Sequence, residues 1–296
     1  MNARLLCLLL AVFALPATAQ TADDLKYVTI VPGKTAAETA VRTGESFLGR
    51  PYVHYTLEGN ATEQLVVNLQ QFDCTTFIET TLALAFTDQE LGASYSPAQA
   101  EPVFRKYLTK IRYRNGQIDG YASRLHYLSD WLRDNERKGF VQDVTHDIGG
   151  VQVQKAVNYM TTAVHKYPHM SDPAVYKQIT QVQTDISQQP FWFIRKDQFR
   201  AIESKLREGD IILLTAARPG LDTRHVGYAT WRNGRVYLLH ASSDYHKVVI
   251  TPQPLADYLL GNKRLSGVRV ARIRSIPNKV AFRPKHARLM SLLVKQ

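Results

Sequence analysis

The Asn233-Gly234 dipeptide restricts the fold of this chain more than any other feature, because two alternating apolar runs flank it. Asn-Gly between such runs is the strongest short-range signal for a hairpin with a two-residue turn. The turn also sets the pairing of the two strands, so Arg232 should pair with Arg235. The sequence therefore predicts an antiparallel hairpin whose register can be counted outward from this turn.

The hairpin is part of a longer series of alternating or β-branched runs separated by turn signals, a pattern typical of an antiparallel sheet. The predicted strands are residues 211–216, 226–231, 235–241, 247–250 and 267–274. Apolar periodicity and capping residues predict helices, mostly upstream of the strands. The predicted helices are residues 35–50, a helix from Asp73 onward, 97–108, 123–138 and 197–207. We therefore expect an α+β fold, with helices packed on the sheet.

The domain organisation is predicted to be simple. No internal repeat and no Pro/Gly-rich linker divides the chain, so residues 20–296 should form a single domain. Residues 141–189 are polar, helical in character and weak in apolar periodicity. We interpret them as a helical insertion or peripheral layer, in which Asp172-Pro173 begins a helix.

Residues 1–19 have the parts of a secretory signal peptide: a cation, a short apolar run and an Ala-Thr-Ala end. The apolar run, residues 5–15, is shorter than the ~20 residues that a membrane-spanning helix needs. The sequence therefore predicts an exported, periplasmic protein with no stable membrane span after cleavage. An uncleaved membrane anchor is the alternative.

Charge and composition limit the class of partner. The chain has 37 Lys and Arg against 26 Asp and Glu, a net charge of +11, and 45% of its residues are hydrophobic. This composition excludes a disordered chain, and the positive charge favours an anionic substrate. The cations are scattered, without a basic run, a zinc-finger spacing or an RNA-binding motif, so no nucleic-acid partner is expected.

Cys74 is the one cysteine that remains after the predicted cleavage, and it limits the reactions that the site can catalyse. The other cysteine, Cys7, belongs to the predicted signal peptide, so no intramolecular disulfide is possible after cleavage. A solitary cysteine in an exported protein is either an inert buried thiol or a nucleophile. Cys74 follows Asp73, a natural N-cap, and so lies in the first turn of a helix, where the macrodipole stabilises an anion. For a nucleophile we therefore expect an accessible thiol with a lowered pKa.

The hairpin register supplies two histidines. Counted from the turn, His225 faces Ser242 and His240 faces Gly227. His225 and Gly227 lie two residues apart and project from one face, so the two imidazoles are diagonal neighbours. A thiol at a helix start, an imidazole and a polar group that orients the imidazole form the arrangement of cysteine hydrolases. The residues therefore favour Cys74 as a catalytic nucleophile.

These residues also have structural explanations. The two histidines could be hydrogen-bonded within the sheet, Asp73 a simple helix cap and Tyr52 a loop aromatic. A zinc site made of Cys74, His225 and His240 is the chemical alternative, but it lacks short paired ligand spacings and an obvious fourth ligand. We therefore expect no metal and no cofactor.

Five segments, in order, resemble the motifs of the NlpC-type cell-wall cysteine peptidase superfamily, whose fold is papain-like. They are Leu48-Gly49-Arg50-Pro51-Tyr52-Val53, Phe72-Asp73-Cys74-Thr75-Thr76-Phe77, Glu208-Gly209-Asp210-Ile211, His225-Val226-Gly227-Tyr228 and Leu239-His240-Ala241. Further segments resemble its N-acetylmuramoyl-L-alanine amidase-like branch. They are Thr75-Thr76, Asp119-Gly120-Tyr121-Ala122-Ser123-Arg124-Leu125-His126-Tyr127 and Leu221-Asp222-Thr223-Arg224-His225.

The resemblance implies a papain-like core and hydrolysis of peptidoglycan or of soluble muropeptides. Cys74 would be the nucleophile, His225 the general base and acid, and His240 the group that orients His225. Tyr52 would hold the substrate or its oxyanion, together with the backbone N–H of Cys74. A cell-wall binding module without activity is the non-enzymatic alternative, against which the intact thiol and imidazoles argue.

Two amides are candidates for cleavage. One joins the muramoyl lactyl group to L-alanine, including in anhydro-muropeptides, and the other joins D-glutamate to a diamino acid. Thr75-Thr76 replaces the usual Ser-Gly of the superfamily, and Val53-His54-Tyr55 replaces its Gly-Gly. These changes reshape the pocket and favour the amidase. Asp73, which could receive a free L-alanine amine, supports the endopeptidase alternative.

The segment that follows Gly120 is the predicted recognition site for the substrate. Arg124 can bind a carboxylate or a phosphate-like anion, and Tyr121, Ser123 and His126 add polar contacts. The structural alternative is a helix start that Ser123 caps.

Overall fold

A computed structural model describes residues 28–92 and 94–275 of the protein. The predicted signal peptide, residues 1–19, and Cys7 lie outside the described residues. Within the described ranges, none of the helices combines the length and the apolar character that a membrane crossing requires.

The described chain combines α-helices with short strands. The helices are α1 (Ala36–Glu45), α2 (Cys74–Leu91), α3 (Pro97–Arg112), α4 (Leu128–Arg137), α5 (Tyr159–Thr162), α6 (Pro173–Gln188), α7 (Phe199–Ile202) and α8 (Leu255–Gly261). The strands are β1 (Val141–Asp143), β2 (Val151–Val153), β3 (Phe191–Arg195), β4 (Ile211–Ala216), β5 (Thr223–Arg232), β6 (Arg235–Ser242), β7 (Lys247–Ile250) and β8 (Leu265–Ile273).

The strands form an antiparallel sheet in the order β2-β3-β8-β4-β5-β6-β7, with β1 also paired to β8. The predicted hairpin register is confirmed, since Arg232 pairs with Arg235 and Tyr228 with Leu239. Asn233 has φ 50° and Gly234 has φ 71°, the left-handed conformation that a two-residue turn of this kind requires. The predicted α+β class is thus confirmed.

Helix α2 is the central helix of the fold. It packs against α1 and α3 and lies on β5 and β6. Apolar periodicity by itself indicates a helix with one buried face, but every residue of α2 from Thr76 to Thr87 is buried. Helices α1 and α3 and the sheet cover the helix on several sides, which agrees with its mixed apolar and threonine composition. The core therefore fixes α2 firmly, and the N-terminus of α2 carries Cys74.

The helix predicted at residues 123–138 begins later than expected. Tyr121–Ser123 forms a single 3₁₀ turn, Arg124 is extended and bridges Tyr113, and α4 starts only at Leu128. Ser123 does not cap a helix, because its hydroxyl donates to the Gly120 carbonyl at 2.6 Å. The backbone pairing with Tyr113 overrides the apolar periodicity here.

The region 141–189 is more than a helical layer. It contains α5 and α6, and Asp172 caps α6 as predicted. It also contains β1 and β2, which pair with β8 and β3. Strands β1, β2 and β3 were not predicted from the sequence. At three to five residues each, these strands are too short to give a clear alternating pattern. The helix predicted at 197–207 is likewise shorter, with α7 followed by a 3₁₀ turn.

Candidate active site

Cys74 is the first residue of α2, as predicted, and a capping box precedes it. The Asp73 carboxylate accepts from the Thr76 backbone N–H at 2.7 Å, and the Thr76 hydroxyl accepts from the Asp73 N–H at 2.9 Å. The reciprocal bonds satisfy two of the helix's unpaired donors and hold the thiol in a fixed position. Cys74 is partly exposed and is not part of a disulfide.

Three polar groups near the Cys74 sulfur act to lower the pKa of the thiol: the Thr75 side chain, the Val226 backbone N–H and the N–H of Cys74 itself. Helix α2 packs on β5, and Cys74 packs against the hydrophobic cluster that contains Val226, so the thiol lies close to the strand that carries His225. Thr75, one of the two threonines that replace Ser-Gly, thus has a direct role at the thiol.

The predicted lowering of the Cys74 pKa is wrong for the unliganded protein. Burial, and after it the neighbouring Asp73 carboxylate, raise the pKa of the thiol to about 12, although the three polar groups act in the opposite direction. Burial in a poorly solvated site disfavours the charged form, and here it outweighs the helix terminus. The resting sulfur is therefore a neutral thiol.

His225 and His240 form a hydrogen-bonded pair, as their register predicted. Nε2 of His225 lies 2.5 Å from Nδ1 of His240, and the two rings meet edge to face with centroids 4.8 Å apart. Burial lowers the pKa of His225 to about 4, although Asp244 opposes the shift. Burial and His225 hold the pKa of His240 well below its ordinary value. Both imidazoles are therefore neutral near pH 7, and Nδ1 of His225 remains available to a second partner.

Gly227 makes room for the orienting histidine. A Cβ at Gly227 would lie 2.9 Å from the Cβ of His240 and 2.7 Å from a methyl of Leu238. His240 is fully buried, and its Nε2 has no hydrogen-bond partner among the described residues. The strand therefore needs glycine here so that His240 can reach His225.

Tyr52 lies beside the thiol, as the resemblance implied. Its backbone bridges Phe72, which precedes the α2 cap, and its hydroxyl lies 3.3 Å from Nδ1 of His54. Burial, followed by the charges of Cys74 and Asp73, raises the pKa of Tyr52. The phenol is therefore a neutral hydrogen-bond donor at the site.

A cleft of about 390 Å³ opens in front of His225. Tyr52 and His54 line one part of it, and Tyr159 and Tyr167 line another. Its remaining lining includes a set of cations that the sequence analysis missed, namely Lys166, Arg218, Arg224 and Arg264. Lys166 comes from the region that was interpreted as a peripheral layer, and no local motif marks it.

The predicted recognition segment lies elsewhere, in contact with buried carboxylates. Arg124 is 6% exposed; its Nη2 donates to Glu58 Oε1 at 2.8 Å, and its Nε lies 3.4 Å from Glu63 Oε1. The Tyr121 hydroxyl donates to Glu58 Oε2 at 3.1 Å. The His126 ring contacts the Tyr121 carbonyl at 2.9 Å. The structure brings these residues and Ser123 together, but they do not line the cleft in front of His225.

A second buried ion pair adjoins this segment. Nε of Arg112 donates to Glu79 Oε2 at 2.7 Å, and both side chains are 2% exposed. We call this set of ion-paired side chains the paired network; its members are Glu58, Glu63, Glu79, Arg112 and Arg124. Sequence reasoning missed its carboxylates, because they are far in sequence from the arginines that they meet.

The zinc alternative finds no support in the arrangement of side chains. Within residues 28–92 and 94–275, no group of three or more His, Cys, Asp or Glu side chains is placed to hold a metal ion.

Comparison with known proteins places the chain beside amidases. A model of the N-acetylmuramoyl-L-alanine amidase-like family matches residues 42–268. An N-acetylmuramoyl-L-alanine amidase from Bacteroides uniformis is 34% identical with a TM-score of 0.73, over 81% of this chain and 99% of that one. A Bacteroides fragilis protein proposed to be a xylanase is 36% identical with a TM-score of 0.68, over 78% and 99%.

A Legionella pneumophila protein shares the fold, at 23% identity and a TM-score of 0.58, over 83% of this chain and 91% of that one. Comparison with curated protein sequences gives no match. The family match covers both histidines and Cys74.

Proposed function

Because this chain belongs to the N-acetylmuramoyl-L-alanine amidase-like family, we propose that it is a cysteine hydrolase that cleaves the amide between the muramoyl lactyl group and L-alanine. Its substrates would be peptidoglycan or soluble muropeptides, including anhydro-muropeptides. The observation that carries the proposal is the thiol at the start of α2, held beside the strand of a hydrogen-bonded histidine pair. We further propose a papain-like core, the NlpC-type superfamily, and export to the periplasm through residues 1–19.

The first chemical step is a coupled proton transfer and attack. Nε2 of His225 is engaged by His240, so Nδ1 takes the proton from the Cys74 thiol as the sulfur attacks the amide carbon. The Val226 N–H and Thr75 donors stabilise the sulfur as it gains charge. The high pKa of the thiol and the low pKa of the imidazole keep both groups neutral until the substrate arrives.

The second step releases the peptide amine. The tetrahedral oxyanion would accept from the Tyr52 hydroxyl and from the Cys74 N–H. His225 returns its proton to the leaving nitrogen, the C–N bond breaks, and a muramoyl thioester remains on Cys74. Water, activated by His225, then hydrolyses the thioester and restores the thiol.

Two other activities are weaker candidates. The endopeptidase would use Asp73 to bind a free amine, but one of its carboxylate oxygens already caps α2. A glycoside hydrolase uses two carboxyl groups that flank the scissile bond. Among the described residues that line the cleft, Asp244 is the one carboxylate, and Arg264 lies 3.4 Å from it.

Digestion of defined muropeptides, analysed by mass spectrometry, tests the proposal. We expect release of peptides that begin with L-alanine, and no release by the Cys74→Ala variant. Release of L-alanyl-D-glutamate from sugar-free peptides would identify the endopeptidase instead, and full activity of Cys74→Ala would exclude the thiol mechanism.

A further inference from the structure

Three cations in the cleft have no carboxylate partner. Lys166 follows α5, Arg218 lies in the turn between β4 and β5, and Arg224 immediately precedes His225. All three are exposed, and none forms an ion pair with a carboxylate in the described part of the chain. Arg264, by contrast, has Asp244 as its partner. We call Lys166, Arg218 and Arg224 the cationic cluster.

Tyr159 contacts two members of the cationic cluster, Lys166 and Arg218. Nζ of Lys166 donates to the Tyr159 hydroxyl at 2.9 Å, and the Arg218 guanidinium lies 4.9 Å from the centre of the same ring. The hydrogen bond from Lys166, and the charges of Lys166, Arg218 and Arg224, lower the pKa of Tyr159. All three positive charges therefore act on one point of the cleft wall. Like charges so placed repel one another unless an anion lies between them.

The position of the cationic cluster indicates which part of the substrate lies next to it. Arg224 is the chain neighbour of His225, so the cluster lies within a few residues' length of the reacting amide. A muropeptide bears carboxylates on its D-glutamate and its diamino acid, close to that amide. Guanidinium groups bind carboxylates through two parallel hydrogen bonds.

We propose that the cationic cluster binds the carboxylates of the peptide portion of the substrate and so selects acidic stem peptides over amidated ones. This inference rests on the proposed function, since it assumes that a muropeptide occupies the cleft. It differs from the sequence prediction, which gave the anion-binding role to Arg124. It identifies Arg218 and Arg224 as specificity-determining residues.

Binding by the full chain of the Cys74→Ala variant tests the proposal without turnover. Calorimetry would compare a muramoyl tripeptide that has free carboxylates with the same compound in which both carboxylates are carboxamides. We expect the free acid to bind about tenfold more tightly, the scale of one hydrogen-bonded charge pair. Arg218→Gln and Arg224→Gln should each remove most of this preference, because each loses a charge that acts on the carboxylates.

Arg207→Gln is the matched control. Arg207 is exposed and precedes the end of β4 opposite to the end that pairs with His225, so its loss removes one positive charge without touching the cleft. We expect this variant to keep the full preference for the free acid. An equal loss in Arg207→Gln would mean that net charge alone is responsible and would overturn the proposal, as would equal affinities for the two ligands in the parent protein.

Two further measurements separate the possible failures. If inorganic pyrophosphate competes more strongly than the free-acid tripeptide, the cluster is a phosphate site and the proposal is overturned. If wild-type enzyme hydrolyses both muropeptides with equal kcat/KM, the amidase stands and the cluster proposal fails. If no hydrolysis occurs but the Cys74→Ala protein still prefers the free acid, the cluster stands and the amidase fails.

Discussion

The paired network and the cleft beside His225 differ in whether their charged side chains have partners of opposite charge. In the paired network, every cation meets a buried carboxylate, as in the pair between Arg112 and Glu79. At the candidate active site, the Cys74 thiol and the His225 imidazole are neutral, and the cationic cluster that lines the cleft beside His225 has no carboxylate partner among the described residues. The charges of the network are therefore neutralised by ion pairs within the fold, whereas the cations of the cleft remain available to bind a ligand.

The contrast between Arg124 and Arg218 shows what decides availability. Both are arginines in segments that resemble or border family motifs. Arg124 contacts Glu58 and Glu63, whereas Arg218 lies over the face of Tyr159 and pairs with no carboxylate of the described residues. A guanidinium that already has two carboxylates gains little from a third. Substitutions in each region should therefore separate the charges that stabilise the fold from the groups that act on the substrate.

The largest effect is expected at the histidine pair. His225→Ala should lower kcat/KM about 10⁴-fold, because the thiol, with its raised pKa, has no other proton acceptor. His240→Asn should cost only about 10- to 100-fold, since an amide can still orient His225. Kinetics on a muropeptide, with melting temperature as a control for folding, would measure both. Equal and total loss in a folded His240→Asn protein would contradict an orienting role.

The next effect is one of stability. Glu79→Gln should lower the free energy of unfolding by about 3–5 kcal/mol, because it leaves the Arg112 charge buried without its partner. Urea denaturation measures this change, and the double variant Glu79→Gln/Arg112→Met should recover part of it. A loss below about 0.5 kcal/mol would show that the pair is not a structural element of the network.

Arg124→Gln sharpens the comparison further. We expect a loss of about 2–3 kcal/mol in unfolding free energy, because Glu58 loses a hydrogen-bonded cation and Glu63 loses its ion-pair partner, and a KM unchanged within about twofold. Arg218 is exposed, so Arg218→Gln should raise KM and leave the free energy of unfolding unchanged. A raised KM with unchanged stability for Arg124→Gln would instead support the recognition role predicted for the segment.

The smallest effect concerns pH. Neutral His225 is the base, so kcat/KM should fall as the pH drops through its pKa, at about 4, and should be nearly constant from there to neutral pH. Arg224 disfavours protonation of His225, so Arg224→Gln should move this acid limb upward by less than about one pH unit. A limb near pH 6.5 in the parent protein, or a downward movement in the variant, would contradict a neutral resting pair.

Local signals predicted the parts of the site that local structure determines. The Asn233-Gly234 turn set the register that joins His225 to His240, and Asp73 indicated the start of α2. The thiol pKa could not be read in this way, because burial depends on elements that are distant in sequence. The same holds for Arg124, whose partners Glu58 and Glu63 come from a loop without a motif.

The fold shows a similar division. Strands β4 and β7 have the predicted bounds, since each has clear turns on both sides. Strands β1 to β3 owe their existence to pairing with one another and with β8, so their own residues carry little signal. Lys166 belongs to the same poorly predicted region, which explains why the cationic cluster was not recognised from the sequence.

The unpaired Nε2 of His240 bears on which tautomer the histidine pair adopts, and only one tautomer lets His225 act as a base. When His225 donates from Nε2, its Nδ1 is free to take the thiol proton, but His240 must then carry its own proton on Nε2, where no described residue accepts it. When His240 donates from Nδ1 instead, His225 carries its proton on Nδ1 and cannot act as a base. Both tautomers leave the same nitrogen unsatisfied, so neither excludes the other. The balance between the two tautomers therefore sets the fraction of molecules in which His225 can act as a base, and that fraction scales the apparent kcat/KM.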